Sequence, residues 1–223
     1  MLGYASENSS TWFRPSAATR LNARVRWEEA EWRPFRPEEA ARRFAGLDVP
    51  WAVAAGWAID LFVGRERREH EDLEVAIPAD AVDAVRARLP ELDFWVPVGG
   101  GTLVPLDEAD LDDTHQTWAL DTAAQEWRID LFREPSADGR WVCRRDESIR
   151  LAYDELIERT AEGIPYVRPE VVLLFKAKEA RPKDETDLAA ALPLLDASRK
   201  RLLAEWLELV HPGHFWLDDL RRV

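Results

Sequence analysis

Two carboxylates two positions apart, Asp72 and Glu74, alternate with Leu73, Val75 and Ile77. On a β-strand that spacing turns both acids to one face and the aliphatic residues to the other. Like charges side by side repel, and two hard oxygen donors at this spacing can hold Mg²⁺, which takes carboxylates together with water and substrate phosphates. Asp-x-Glu also occurs on plain solvated strand edges, so the pair gains meaning from what surrounds it. Upstream, Gly56-Trp57 joins a short apolar run to a helical one, where the amides of a helix N-terminus can receive a phosphate. Downstream, Asp130 sits in a run with Trp127, Ile129 and Leu131 on one face and Arg128, Asp130 and Phe132 on the other, the placement of a third carboxylate.

The elements that must position these residues can be read from their punctuation. Pro37-Glu38-Glu39 opens a helix, with proline at the first helical position and acids at the positive end of the dipole. Val49 to Ala55 reads as a buried strand, and Trp57 to Val63 as a helix ending at Gly64. Strands are expected at 73–77, 92–98, 114–120 and 127–132, with a helix at 80–89 and a hairpin leading into Trp141-Val142-Cys143. From Pro169 the pattern becomes helical, with segments to about 180, at 184–195 and at 199–210. The expected class is α+β. Residues 1–35 form a partly packed tail, 36–165 a mixed-sheet domain and 166–223 a C-terminal helical domain.

A glycine turn, a D-x-E strand and a later lone strand carboxylate resemble the active-site pattern of the polymerase-beta-type nucleotidyltransferase superfamily. More narrowly, GWAIDLFVGRERREHEDLEV (56–75) is similar to its small bacterial aminoglycoside and lincosamide adenylyltransferase-like branch, in which R-x-H-x-D precedes the second carboxylate. The segment GIPYVRPEVVLLFKAKEARPKDETDLAAALPLL (163–195) resembles the same branch, whose members carry a P-E-hydrophobic-K-x-K helix followed by K-D-x-x-D. The likeness extends over roughly 36–217.

This resemblance implies a nucleotidyltransferase using ATP or another NTP and two Mg²⁺ ions. It implies that Asp72 and Glu74 bind metal and nucleotide phosphates, and that Asp130 is the third ligand or the base that activates the acceptor hydroxyl. Gly56 and Trp57 would form the phosphate-facing turn, Arg68 and His70 would steady the metal strand, and Lys176 and Lys183 would lie near the triphosphate. Two departures from the family bear on activity. Ala55 stands where many relatives have a first glycine, which places a Cβ on the phosphate approach or at a positive φ. Glu74 stands where relatives often have Asp, and its extra methylene displaces the carboxylate by about one bond.

Composition narrows the acceptor. With 30 Lys+Arg against 43 Asp+Glu, the net charge is −13. That argues against a general nucleic-acid binder or a polybasic membrane protein and suits a small cationic acceptor such as an aminoglycoside. Leu106 to Asp113 holds five acids, either a solvated loop or a rim that attracts cations. The longest apolar run, Trp51 to Ile59, falls short of the roughly 20 residues of a spanning helix. The first ten residues lack the basic and apolar regions of a signal peptide, so a cytoplasmic monomer or weak homodimer is expected. The single cysteine, Cys143, excludes an intrachain disulfide and a multi-thiolate zinc site.

Other residues have simpler readings. His70 could equally belong to a solvated loop. Arg65, Arg67 and Arg68 are balanced by neighbouring glutamates. Lys176 and Lys178, two apart on a helix, cannot both face one site, and Lys176 is the choice. Asp184 and Asp187 share a helix face and could cap and pair with Lys183. The expected function is Mg²⁺-dependent transfer of an NMP group to a hydroxyl of a small cationic molecule. The alternatives are a toxin-like nucleotidyltransferase acting on tRNA or protein, and a catalytically weak nucleotide-binding domain.

Overall fold

The computed structural model describes residues 27–112 and 114–222. The part of the expected tail before residue 27 lies outside these residues, as does Asp113. The strands are β1 (Glu31–Trp32), β2 (Ala52–Val53), β3 (Glu74–Pro78), β4 (Asp93–Val98), β5 (Thr102–Pro105) and β6 (Gln116–Asp121). They continue with β7 (Glu126–Glu134), β8 (Ser136–Ala137), β9 (Arg140–Val142), β10 (Arg150–Ala152), β11 (Ile157–Arg159) and β12 (Pro165–Val167). Nine of them make one mixed sheet in the order β11-β12-β2-β3-β7-β6-β4-β5, with β1 laid parallel along the first residues of β7. A small antiparallel sheet, β10-β9-β8, follows β7.

The helices are α1 (Pro37–Arg43), α2 (Ala55–Val63), α3 (Val82–Arg88), α4 (Tyr153–Leu156), α5 (Pro169–Lys176), α6 (Pro182–Ala191), α7 (Ala197–Val210) and α8 (Trp216–Arg221). Helix α1 begins at its proline, with Glu38 and Glu39 in the first turn and Arg42 and Arg43 in the last, as the helix dipole favours. Helix α2 ends at Gly64, whose φ of 81° is a left-handed stop that closes on the Asp60 and Leu61 carbonyls. Helix α5 buries Val171, Val172, Leu173 and Leu174 against α2 and α7, and one hydrophobic core runs through sheet and helices alike. No helix among the described residues is long and apolar enough to cross a membrane.

The structure differs from the sequence reading in places. Residues 31–35 are part of the sheet: Arg33 N–H donates to the Trp127 carbonyl and Phe35 N–H to that of Arg128. Helix α5 stops at Lys176 rather than near 180, because the chain turns through Ala180 at φ 43° before Pro182 opens α6. The division placed between 165 and 166 falls inside β12, which is hydrogen-bonded to β2 and β11.

A buried ion cluster joins the loop after α2 to helices α5 and α6. The Arg67 side chain, 8% exposed, lies 2.7 Å from Asp60 Oδ1 and 2.6 Å from Asp187 Oδ1. The Asp60 contact is coulombic, off-line for a hydrogen bond. Lys176 Nζ lies 2.8 Å from Asp184 Oδ1 and 2.9 Å from Asp187 Oδ2, and Arg181 Nε is 2.9 Å from Asp184 Oδ2. Both α6 aspartates are fully buried, which is tolerable only with such partners. Removing Arg67 leaves Asp60 and Asp187 short of counter-charge. Arg67→Ala is expected to cost about 3–5 kcal/mol, read as a lower urea midpoint, and an unchanged midpoint would show that the cluster does not hold the loop to the helices.

Candidate active site

Strand β3 runs parallel to β7 in the register Glu74↔Asp130, Ala76↔Phe132, Pro78↔Glu134. Ladder partners share a face, so Glu74 and Asp130 are neighbours on the side of the sheet that also carries Ala76, Phe132 and Glu134. Backbone bonds lock the placement. Asp130 N–H donates to the Leu73 carbonyl at 2.9 Å, and Ala54 N–H donates to that of Glu74 at 2.8 Å. Asp72 lies just before the strand, in the chain entering it.

The three acids repel one another. Burial pushes the Glu74 carboxyl well up, and the charges of Asp72 and Asp130 add to that, with Lys176 opposing. Burial also pushes Asp130 up to about 8, against a hydrogen bond from Gln116 and with Asp72 raising it further. Gln116 Nε2 donates to Asp130 Oδ2 at 2.6 Å. Oδ1 is buried and makes no well-aligned hydrogen bond, although the indole N–H of Trp118, the ladder partner of Asp130 on β6, is close enough to ease that carboxyl downward.

The turn before α2 meets these acids. Ala54 precedes the helix in extended conformation, and Ala55 adopts a φ of 46°, a left-handed value that disfavours a Cβ. Gly56 serves a different need from positive φ. A Cβ there would stand 2.2 Å from Arg68 Nη2 and 2.9 Å from two atoms of the His70 ring, so glycine lets the 64–72 loop close on the helix. His70 Nε2 lies 2.7 Å from Asp60 Oδ2, and its ring stacks on Trp57 with centroids 4.2 Å apart. The Trp57 side chain is buried and does not line the cleft, a correction to its expected phosphate-facing place that follows from this stacking.

A cavity of about 430 Å³ opens over Asp72 and Glu74, lined near them by Ala55, Gly56, Arg68 and His70, whereas Asp130, 3% exposed, does not line it. Lys176, Arg181 and Lys183 complete that end. Lys183 is exposed and forms no ion pair among the described residues, whereas Lys178, paired with Glu179 at 3.8 Å, does not line the cavity. Asp184 and Asp187 pair with Lys176, Arg181 and Arg67 instead of Lys183. The acids from Asp107 to Asp112 do not line it either, and Asp107 is bound to Arg86. Sequence reasoning missed Glu134, Trp141, Arg144, Phe175 and Arg181, which also line the cavity. Arg181, beside the 176–183 lysines, carried the only usable signal.

Residues 38–99, which contain Gly56, Asp72 and Glu74, match the sequence family described as aminoglycoside-2''-adenylyltransferase. No curated protein matches the chain. Among solved structures, ANT(2'')-Ia in complex with adenylyl-2''-tobramycin aligns with a TM-score of 0.51 at 17% identity, over 77% of this chain and 95% of that one. The lincomycin-bound lincosamide antibiotic adenylyltransferase LnuA aligns at 0.49 and 16% identity, over 70% of this chain and 94% of its own. The likeness of fold rests on the first of these. The chain has the α+β fold of the adenylyltransferase-like nucleotidyltransferases. Over 38–99 it resembles the aminoglycoside-2''-adenylyltransferase family in sequence as well.

A nucleotidyl-transfer role for this cleft would call for a divalent metal. The donor set suits one in charge, because Asp130 Oδ1 lacks a well-aligned partner and Glu74 is opposed by two acids, a deficit that a cation offsets. The three side chains do not close on one point. Among the described residues no three His, Cys, Asp or Glu form a metal-holding group, and Gln116 draws Asp130 Oδ2 aside.

This geometry generates one set of predictions about the turn and another about pH. Gly56→Ala forces Arg68 and His70 away and is expected to cost about 1–3 kcal/mol. Ala55→Gly removes a left-handed penalty of about 1–2 kcal/mol against a backbone-entropy cost of roughly 0.5–1 kcal/mol, so thermal unfolding should show equal or slightly higher stability. A clearly less stable Ala55→Gly would contradict the strain. The second concerns pH. Asp130 keeps its proton in the folded state up to about 8, while in the unfolded chain it ionises near an ordinary value of about 3.9. Its contribution to stability is therefore complete below the unfolded value and is lost as pH rises through the folded one. With a chelator present, Asp130→Asn should gain stability over wild type progressively from acidic pH to above pH 8, and a gain independent of pH would contradict the shift.

Proposed function

We propose that the protein transfers a nucleoside monophosphate from ATP or another NTP to a hydroxyl of a small molecule of the aminoglycoside or lincosamide kind. The observation that carries this reading is that Asp72 and Glu74, the latter paired in the sheet with Asp130, line a cleft whose wall also presents Arg68, Lys176, Arg181 and Lys183. Asp72 and Glu74 would hold Mg²⁺, with Asp130 Oδ1 as third ligand or base. When bound, one or two such ions neutralise charge on the attacking and leaving oxygens.

The chain's own residues do the positioning. The amides opening α2 and the nearby cations favour the β- and γ-phosphates. The acceptor oxygen forms a bond to the α-phosphorus while the bond from that phosphorus to the β-bridging oxygen breaks, and pyrophosphate leaves with the electron pair. The hydroxyl proton passes to Asp130. A neighbouring cation lowers the proton affinity of that carboxyl, which frees it to act as a base near neutral pH. Glu74 and Ala55 set the rate below that of a site with aspartate and glycine at those positions. We read the enzyme as cytoplasmic, and as a monomer or weak homodimer.

The test is pyrophosphate release with Mg²⁺, four NTPs and a panel including tobramycin and lincomycin. The expected result is acceptor-dependent release that chelation abolishes and that Asp130→Asn lowers by about 10²–10⁴-fold. Release indifferent to acceptor, chelator and Asp130 would overturn the reading.

A further inference from the structure

The row of side chains that the acids begin continues across the sheet. Register places Glu74 beside Asp130, Asp130 beside Trp118 and Trp118 beside Trp95, over β3, β7, β6 and β4. Ladder partners share a face, and neighbouring strands lie about 4.8 Å apart, which sets Trp95 roughly 10 Å beyond Asp130. Two carboxylates and two indoles therefore stand in one line. Asp130, which does not line the cavity, separates it from the tryptophans. Gln116, two residues before Trp118 and on the same face, holds Asp130 Oδ2 at 2.6 Å.

The tryptophan end of this row is only partly covered. Trp118 meets Trp32 and Trp127 edge-on, with ring centroids 5.5 and 5.7 Å apart, and Trp127 is buried. Trp32, Trp95 and Trp118 are each half-buried, and no residue of helices α1 to α8 joins their cluster. Elsewhere guanidinium groups lie over aromatic rings, Arg36 over Trp57, Arg43 and Arg128 over Phe35, Arg199 over Phe62. Among the described residues none lies over Trp95 or Trp118. The arginines nearby are already paired, Arg33 with Glu31, Arg128 with Glu126, and Arg86 with Asp107. Asp93, two residues before Trp95 and on its side of β4, accepts a hydrogen bond from the Thr122 hydroxyl and forms no ion pair among the described residues. Unoccupied indole faces beside an unpaired carboxylate suit an organic cation.

In phosphoryl-type transfer the attacking oxygen stands opposite the leaving group. Arg68, Lys176, Arg181 and Lys183 come from elements that follow β2 and β12, on one side of Glu74 in the sheet, whereas Trp118 and Trp95 lie on the other. The apolar end of the cleft is a poorer seat for a cation, because Arg144 Nε and Nη2 donate to Glu134 Oε2 and Oε1 at 3.2 and 3.1 Å, a pair that neutralises itself. We propose that an amino-sugar ring of the acceptor lies on Trp118 and Trp95, with an ammonium group against an indole face near Asp93 and the reacting hydroxyl at Asp130. There the hydroxyl takes the place of the Gln116 amide. This inference rests on the nucleotidyl-transfer reading and locates its acceptor.

The test uses Trp95, two strands away from Asp130. Tobramycin and Mg·ATP are titrated calorimetrically, one at a time, into the full-length protein and its variants, and acceptor-dependent pyrophosphate release is followed alongside. Trp95→Leu is expected to weaken tobramycin about tenfold with Mg·ATP binding unmoved, and Trp95→Phe, which keeps an aromatic face, to recover most of the loss. Asp93→Asn, a change to an exposed side chain, should weaken tobramycin about two- to threefold at low salt and not at high salt. Unchanged tobramycin affinity in Trp95→Leu or in Asp93→Asn at low salt, Trp95→Phe as weak as Trp95→Leu, or no binding by wild type overturns the proposal. Binding in the expected pattern without pyrophosphate release sinks the transferase reading and leaves the tryptophan site standing. Release whose KM for tobramycin is unmoved by Trp95→Leu does the reverse.

Discussion

Asp187 has no exposure to solvent and three cations within 4 Å, Arg67, Arg68 and Lys176, and the rest of the cleft is arranged around keeping that carboxylate neutralised. Burying an unpaired charge is among the most destabilising single events available to a fold. Arg67 and Arg68 come from the loop that ends at Asp72, whereas Lys176 ends helix α5 and Asp187 lies on α6. Satisfying one buried aspartate therefore fixes the loop leading into β3 and both helices that wall the cleft. Asp60 and His70 extend the same network to α2, so the turn that opens this helix is tied to it too.

Beside this balanced cluster stands an unbalanced one. Glu74 and Asp130 are forced together by sheet register, and both are held above ordinary carboxylate values by burial and by each other or Asp72. A fold selected for stability alone would replace such groups. Here the neighbouring ions are spent on Asp184 and Asp187 rather than on Glu74, which leaves negative potential for a bound cation to satisfy. Ala55 adds a local strain of the same kind, where a left-handed φ shapes the helix entrance at the cost of a poorly placed Cβ.

The parts of this arrangement that periodicity encodes were legible in the sequence. Alternation gave β3 and β7 and the faces of Glu74 and Asp130 on them, while the grouping of the two with Asp72 came from the family resemblance. Proline and glycine punctuation gave α1, α5 and the end of α2. What escaped was of two kinds. Strands β1, β10, β11 and β12 are only two or three residues long, too short for alternation to register, and exist because neighbouring strands supply their hydrogen bonds. The pairings of Arg67 with Asp187 and of Arg144 with Glu134 join residues far apart in sequence or across a change of sheet, and no local spacing announces them. Gly56 was noticed for the right position and a different reason, since its missing side chain makes room for Arg68 and His70.

The most direct measurement is to soak crystals with Mn²⁺ and a non-hydrolysable ATP analogue and locate the metal by anomalous scattering. An anomalous peak between Asp72, Glu74 and Asp130 Oδ1, with the triphosphate directed toward Lys176, Lys183 and the start of α2, is the predicted result. Manganese held by the phosphates away from all three carboxylates, or a triphosphate lying over Trp141 and Phe175, would contradict it.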